Sequence, residues 1–430
     1  MTLAVFRDLL PSGVKVVTIE TPHLHSVMCA VYVRVGSRHE SARTSGVSHL
    51  LEHLFFRGSQ RFRDPVRMNA VVEGAGGNLN GVTMRDSSYF YTPTHAAGLE
   101  VSLEILGDML SRPRLTGLST EKRVILEEML DEVDERGRDV DVDNLSKRVL
   151  YGAHPLSLKI AGTVENVKAL SLRDVRAHFK RAYVGGNIVV AVAGPVTRAR
   201  VLKAAKRSFR HVPPGPAQVE QPPKPLAPTG PRFKFVALDE SQVEFRLSFP
   251  VPPESHPDSA ALALLRRVLD DGLSSRLPHR IVEQLGLAYS VGATIEAFHD
   301  AALFEIDGAC APSNVARVLE ESLRAIASLR QGKITPAELK RAKTRFALHV
   351  DFLQDAPADL CGWFGGIELF RQAESFDEKK AQLKSVTVKD LQRVAREWLG
   401  PERLVVVGVG PRSAKKPAER VLHQAARLLT

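Results

Sequence analysis

A proline-rich stretch at positions 211–231 divides the chain into two parts of nearly equal length. Eight of its 21 residues are proline. Proline fixes one backbone angle and lacks the amide proton that helices and central strands use, so this stretch favours extended structure. The whole chain, at 430 residues, also exceeds the length of one typical domain. We therefore predict a first domain of residues 1–210, a linker of residues 211–231 and a second domain of residues 232–430.

The two parts share one order of sequence patterns, which indicates an internal duplication. Strand-like runs open each part, at 15–19 and 26–33 in the first and at 233–237 and 243–249 in the second. Each part closes with a strand-like run that ends in Gly-Pro and precedes a helix, at 187–195 and 403–411. We predict an α+β fold of two homologous domains, each an antiparallel-rich sheet covered by helices.

Apolar residues at helical spacing predict the main helices. In the first part they fall near 44–57, 64–75, 96–112 and 119–136, and in the second near 257–271, 275–285, 313–331, 335–355 and 387–399. The stretch 79–91 is strand-like and follows a Gly-Gly pair.

Composition is that of an ordinary globular protein, with 44% hydrophobic and 25% charged residues. No stretch approaches the roughly 20 apolar residues of a membrane span, and the first residues lack the basic head and apolar core of a signal peptide. The three cysteines, Cys29, Cys310 and Cys361, are far apart and odd in number, which favours buried thiols in a reducing compartment. We therefore expect a cytoplasmic protein.

The formal net charge of +10 could indicate a nucleic-acid partner. However, the lysines and arginines are dispersed through predicted helices and interleaved with acidic residues. No clustered basic patch, aromatic platform or recognition motif accompanies them. The charge therefore fits a solvated surface, and we expect no nucleic-acid binding.

The segment His49-Leu-Leu-Glu52-His53 has the pattern H-x-x-E-H within a predicted helix. Positions i, i+3 and i+4 share one helix face, so His49, Glu52 and His53 project into one small volume. Two imidazoles one turn apart can bind one Zn²⁺, and a carboxylate beside them can act as a base on water. The alternative is a pair of half-exposed histidines beside a solvated glutamate.

A catalytic zinc usually takes three protein ligands, so a third residue is needed. The segment from Glu121 to Met129 offers three glutamates on one predicted helix. Glu121 and Glu128 lie two helical turns apart and can face the same way, whereas Glu127 points about 100° away. On these residues alone, an ordinary charged amphipathic helix is the other interpretation.

Taken together, the 49–53 motif, the stretch Gly-Gly-Asn-Leu-Asn-Gly-Val-Thr at 76–83 and the glutamates at 121–128 resemble the pitrilysin and mitochondrial-processing-peptidase family of inverzincin metallopeptidases. In that family the third ligand follows the second histidine by about 74–76 residues. Here 128 − 53 = 75, which selects Glu128. The resemblance extends over nearly the whole chain. It implies half of a clamshell, in which two such chains enclose a chamber.

The resemblance also implies a role for each site residue. His49, His53 and Glu128 would hold Zn²⁺, and Glu52 would be the general base and proton shuttle of peptide hydrolysis. Glu121 matches a family glutamate that supports the site without binding the metal. Asn80 and Gly81 match edge-strand residues that bind an extended peptide through main-chain hydrogen bonds, and Tyr289 matches a tyrosine of the family's substrate-binding motif. Without the resemblance, Asn80 would be read as a turn residue.

One position departs from the family pattern. The family has an arginine seven residues before the tyrosine equivalent to Tyr289, but this chain has Val282 there. Valine cannot donate the hydrogen bonds of a guanidinium, and Arg276 and Arg280 have the wrong spacing. We therefore expect a heterodimer in which a homologous chain supplies the Arg/Tyr pair. The alternative is a homodimer that tolerates valine.

The sequence thus predicts a zinc endopeptidase that cleaves extended or unfolded peptides, in processing or degradation. The alternative is a non-catalytic structural or assembly subunit of a larger complex, because some relatives have lost the metal set. The complete set of His49, Glu52, His53 and Glu128 favours the enzyme.

Overall fold

The structure is a computed structural model that describes residues 3–224 and 230–429. These residues form two compact units. Unit 1 contains the residues up to Met129, together with Leu158–Gln221 and His349–Ser375. Unit 2 contains Leu130–Ser157, Pro222–Leu348 and the residues from Phe376 onward.

The order of the strands along the chain agrees with the predicted duplication. Within the described residues the strands are β1 (Ala4–Leu9), β2 (Lys15–Glu20), β3 (Ser26–Val33), β4 (Asn80–Thr83), β5 (Ser88–His95), β6 (Ile188–Gly194), β7 (Arg232–Ala237), β8 (Val243–Val251), β9 (Ala288–Ala297), β10 (Ala302–Cys310) and β11 (Val405–Gly410).

The two sheets repeat one topology. In unit 1 the order is β1-β2-β6-β3-β5-β4, and in unit 2 it is β7-β11-β8-β10-β9. Each sheet has one parallel pair, β2 with β6 and β7 with β11, and its other pairs are antiparallel. The second sheet therefore matches the first without the edge strand β1. These sheets and their helices confirm the predicted α+β fold.

The helices surround these sheets. Their bounds are α1 (Val47–Phe55), α2 (Pro65–Gly74), α3 (Leu99–Ser111), α4 (Leu118–Glu128), α5 (Val142–Tyr151), α6 (Val164–Ala169), α7 (Leu172–Ala182), α8 (Arg198–Ser208), α9 (Ser259–Leu269), α10 (Val315–Arg330), α11 (Pro336–Leu353), α12 (Pro357–Cys361), α13 (Phe376–Ser385), α14 (Val388–Trp398), α15 (Arg412–His423) and α16 (Ala425–Leu429). Two π-helical segments cover Pro278–Gln284 and Gly362–Gly366. Among the described residues, no helix combines the length and apolar character that a membrane crossing requires.

Two helical predictions differ from the structure. The helix predicted near 119–136 ends at Glu128 and continues as one 3₁₀ turn, Met129–Glu132. The helix predicted near 275–285 is π-helical over Pro278–Gln284. The predictions do not include helices α5, α6, α7, α12, α13 and α16.

The compact units are not contiguous in sequence, unlike the predicted domains 1–210 and 232–430. Residues 130–157 join unit 2, and residues 349–375 join unit 1. The physical reason lies in the central strands, because every residue of β6 and β11 is buried, so both faces of each sheet need cover. Helix α12 packs on β3 and β6, and α5 packs on β8 and β11. Residues 225–229 of the predicted linker lie outside the described residues.

Candidate metal centre

Helix α1 begins at a tightly packed turn. Gly46 has a φ of 93°, and a Cβ at this position would lie 2.5 Å from the carbonyl oxygen of Ala161, so only glycine fits. The buried carboxylate of Glu40 accepts hydrogen bonds from the backbone amides of Gly46 and Ser48, each at 2.7 Å. These bonds satisfy amides that the first helical turn leaves free. These contacts therefore fix the position of the first turn of α1, directly before the motif residues.

The motif residues share one face of α1, as the spacing predicts. The Nε2 atoms of His49 and His53 are 3.3 Å apart, and their rings meet at an interplanar angle of 82°. Burial, together with the proximity of His53, lowers the pKa of His49 to about 4. His49 is therefore neutral at pH 7, which is the form that binds a metal.

Helix α4 brings one carboxylate to this pair. Glu128 Oε2 lies 3.8 Å from His49 Nε2 and 3.6 Å from His53 Nε2. Glu127 is exposed and does not belong to the group of possible ligand atoms formed by His49, His53 and Glu128. The structure thus brings together the three residues that the sequence predicts as ligands.

The separations of these three atoms fit a zinc ion. Atoms bound to one Zn²⁺ at tetrahedral positions, about 2.0–2.1 Å from the metal, lie about 3.4 Å from one another. The observed separations between His49, His53 and Glu128 are 3.3, 3.6 and 3.8 Å. Two imidazole nitrogens and one carboxylate oxygen are also a common donor set of catalytic zinc.

Glu121 lies on the other side of His53, away from the group of possible ligands. Its Oε2 atom is 3.1 Å from His53 Nδ1, and its Oε1 atom accepts a short hydrogen bond from Arg57. A carboxylate at Nδ1 fixes the tautomer in which Nε2 is free to bind a metal. By contrast, Nδ1 of His49 is buried without a hydrogen-bond partner among the described residues. Sequence reasoning missed Arg57, although it lies four residues after His53.

Glu52 lies beside the histidines, and its side chain is nearly buried. The hydroxyl of Thr83 donates a hydrogen bond to Glu52 Oε2 at 2.5 Å. Burial raises the pKa of Glu52 above its usual value, although the bond from Thr83 opposes this change. A cavity of about 250 Å³ opens here, lined by Glu52, His53, Phe56, Arg57 and Glu121. Because Thr83 lies 31 residues from Glu52, no short-range sequence pattern indicates that the two side chains meet.

Strand β4 forms an edge of the sheet in unit 1 next to this cavity. Its Asn80 and Gly81 pair with Tyr91 and Phe90 of β5, and its other side has no strand partner among the described residues. A Cβ at Gly81 would lie 3.1 Å from Glu52 Cγ, so the backbone of β4 is directly beside Glu52. The predicted peptide-binding residues therefore lie next to the predicted base.

The other predicted substrate residue belongs to unit 2. Tyr289 lies near the start of β9 and is 93% exposed. Val282 lies in the π-helical segment and packs against the core of unit 2. Arg276 binds Glu338, and Arg280 binds Glu321. Both arginines are thus held by acidic partners and do not take the place of the missing one.

Residues 15–164 match the family model "Insulinase (Peptidase family M16)", and residues 169–346 match "Peptidase M16 inactive domain". The chain belongs to peptidase family M16. The motif residues at 49–53 and the glutamates Glu121 and Glu128 fall within the first match.

Relatives of this M16 protein extend over nearly its full length. A protein of Mycobacterium tuberculosis named "Uncharacterized zinc protease" is 28% identical over 98% of this chain and 96% of its own length. The probable mitochondrial-processing peptidase subunit beta of Arabidopsis thaliana is 25% identical over 94% of this chain and 77% of its own length. The crystal structure of a protease from Helicobacter pylori shares the fold, with a TM-score of 0.89, 23% identity, and coverage of 96% of this chain and 100% of that chain. These relatives confirm the family that the motifs indicate.

Proposed function

We propose that this M16 family member is a zinc-dependent endopeptidase that cleaves extended or unfolded peptides. The observation that carries the proposal is the group of His49, His53 and Glu128, whose possible ligand atoms lie within 4.8 Å of one another beside Glu52. The alternative, a structural or assembly subunit, gives no reason for these four side chains to converge.

The chain's own residues account for the chemistry as follows. A bound Zn²⁺ ion would polarise water and the carbonyl of the scissile peptide bond. Glu52 takes the proton from the attacking water and passes it to the leaving nitrogen, which departs as an amine. Burial raises the pKa of Glu52, which suits a group that must carry a proton between two steps. Glu121 accepts a hydrogen bond from the Nδ1–H of His53 and keeps that ring oriented.

The unpaired side of β4 suggests how a substrate binds. An extended peptide can add to an open sheet edge through main-chain hydrogen bonds, which recognise backbone more than side chains. Asn80 and Gly81 would bind the peptide beside Glu52. A folded protein rarely offers a free extended segment, so unfolded chains and flexible peptides are the expected substrates.

We further propose that a second, homologous chain completes the substrate site in a dimeric chamber. The support is Val282, which stands where the family has an arginine, together with the engagement of Arg276 and Arg280 by their own carboxylates. A heterodimer in which the partner supplies an Arg/Tyr pair is the favoured form, and a homodimer that uses Tyr289 alone is the alternative. We also place the protein in the cytoplasm, because its three cysteines are free and buried.

The decisive experiment compares the wild-type chain with Glu52→Gln, with and without a chelator, and with and without a homologous partner. We expect the chelator to abolish hydrolysis of an unstructured peptide. Glu52→Gln should keep its zinc and lose at least about 10²-fold in kcat, because an amide cannot act as a base. Glu127→Gln is the matched control, since Glu127 is an exposed carboxylate on α4.

Each outcome decides one part of the proposal. Equal turnover by the wild type and Glu52→Gln would remove Glu52 as the base. Full activity of the chain alone, unchanged by any homologous partner, would remove the heterodimer. A wild-type chain that neither binds zinc nor cleaves peptide under any of these conditions would favour the structural subunit.

A further inference from the structure

Strand β4 contributes a hydroxyl group to the carboxylate of Glu52. The Thr83 hydroxyl donates a hydrogen bond to Glu52 Oε2 at 2.5 Å. The two residues are buried, with 8% and 9% of their surfaces exposed. This hydrogen bond therefore holds a carboxylate that has little contact with solvent.

The position of Thr83 is itself fixed by the sheet. Thr83 pairs with Ser88 of β5, and the Ser88 hydroxyl donates to the carbonyl oxygen of Val35 at 2.8 Å. The hydroxyl of Thr83 thus lies on a paired strand, which holds it more rigidly than a loop does. Because Gly81 has no side chain, the rest of Glu52 lies against the same strand.

The orientation of a catalytic carboxylate matters because only some of its lone pairs can face the attacking water. Without the Thr83 hydroxyl, the terminal torsion of Glu52 would be free to turn, since rotation about a bond between sp³ and sp² carbons has broad minima. The buried Glu52 oxygen would also lack a hydrogen-bond donor, which is unfavourable and favours rotation towards another donor. The hydroxyl is therefore placed to select one orientation of Glu52.

We propose that Thr83 is a positioning residue, whose hydroxyl holds Glu52 in the orientation in which it takes the proton from water. This inference rests on the proposed function, because it takes Glu52 as the base. Since Asn80, Gly81 and Thr83 lie on one short strand, the strand that binds the peptide also orients the base. A peptide that pairs with β4 would stabilise both arrangements at once.

The test uses the full-length, zinc-loaded chain with Thr83→Val, which keeps the shape and removes the hydroxyl, and Thr83→Ser, which restores it. For Thr83→Val we expect kcat to fall about 10–100-fold, as for other residues that orient catalytic groups, with KM changed less than about twofold. Thr83→Ser should recover most of kcat. Zinc content should be equal in all three proteins.

Crystal structures of the same zinc-loaded proteins give a readout that does not depend on activity. We expect one ordered orientation of the Glu52 carboxylate in the wild type and Thr83→Ser, and a rotated or disordered one in Thr83→Val. Thr92→Val is the matched control, because Thr92 is also buried in this sheet and its hydroxyl bonds its neighbour's carbonyl, that of Pro93.

The outcomes separate this inference from the proposed function. If the wild type cleaves no peptide, the proposed function fails, and the orientation of Glu52 in the structures alone decides the inference. An unchanged orientation of the Glu52 carboxylate in Thr83→Val would overturn the inference. An equal loss of kcat in Thr83→Val and Thr92→Val would also overturn it. An equal loss in Thr83→Val and Thr83→Ser would assign the effect to packing and also overturn it.

Discussion

At the scale of single residues, the candidate centre places three electron-rich atoms close to one another. The Nε2 atoms of His49 and His53 are 3.3 Å apart, and Glu128 presents an oxygen to both. Facing lone pairs destabilise one another unless a proton or a metal lies between them. A metal ion at this point would bind all three atoms at once, and zinc binding should also stabilise the fold.

A prediction at this scale concerns the third ligand. Glu128→Ala should lower zinc affinity by more than about 100-fold, which exceeds the typical effect of losing an outer partner of a ligand. Glu121→Gln should lower it about 10–100-fold, since Glu121 only orients His53. Zinc content after competition with a graded chelator measures both. Loss of zinc in Glu127→Ala instead would mean that α4 is rotated relative to its position in this structure.

How far the site could be predicted depends on sequence distance. His49, Glu52 and His53 lie within one helical turn, so helical spacing alone places them together. For Glu128, the residues alone also allowed an ordinary charged amphipathic helix, and only the family spacing selected it as a ligand. Thr83 could not be found from sequence, because its contact with Glu52 requires β4 to pack beside α1.

At the scale of elements, α5 is attached to the sheet of unit 2 by buried charges. Lys147 is fully buried, and its ammonium lies 2.9 Å from Asp143, 3.2 Å from Glu305 and in short contact with Glu296. The oxygens of these three carboxylates are close enough to hold a metal ion. Lys147 occupies the middle of this cluster, so it already supplies the cation.

This cluster predicts a large effect of a single substitution. Lys147→Met should lower the free energy of unfolding by about 3–5 kcal/mol, because it leaves the buried carboxylate of Glu305 and the partly buried carboxylates of Asp143 and Glu296 without their fully buried cation. Urea unfolding followed by circular dichroism measures the change. Lys203→Met, an exposed lysine on α8, should change it by less than about 0.5 kcal/mol. Similar values for the two variants would contradict the role of the cluster.

The contact between Arg276 and α11 predicts a dependence on pH. Burial alone would raise the pKa of Glu338, but hydrogen bonds from Arg276 and from Thr335 prevail and lower it to about 2. Because the folded pKa lies below the unfolded one, the stabilisation is complete above about pH 4.5. It is lost as the pH falls from 4.5 towards 2.

The measurement compares wild type and Glu338→Gln, both without metal, by urea unfolding at pH 7 and at pH 3. We expect the wild type to be more stable by roughly 1 kcal/mol at pH 7, a value that allows for partial solvent screening. The difference should shrink at pH 3. A difference that stays the same at both pH values would show that Glu338 keeps its ordinary pKa.

At the scale of the whole molecule, each half of the sequence supplies a segment to the other compact unit. Residues 130–157 complete unit 2, and residues 349–375 complete unit 1. In unit 1 the buried Glu368 of this segment accepts a hydrogen bond from Arg7 of β1 at 2.9 Å. A chain cut in the linker would therefore leave both sheets with one face uncovered.

This arrangement predicts that two fragments, residues 1–224 and 225–430, fold only together. Expressed singly, each should aggregate or melt without a sharp transition, because an apolar sheet face is exposed. Expressed together, they should copurify as one species with a cooperative thermal transition. Size-exclusion chromatography and circular dichroism are the measurements. Two fragments that are each folded and monomeric would support the contiguous domains 1–210 and 232–430.

The sequence by itself determined what short-range patterns carry: the duplicated strand order, most of the larger helices and the convergence of His49, Glu52 and His53 on one face. Those features depend on residues a few positions apart, where backbone geometry alone sets which side chains meet. Only the tertiary structure decided the exchange of segments between the units and the hydrogen bond from Thr83 to Glu52. Both arise because apolar sheet faces and buried carboxylates must find partners wherever the chain can supply them.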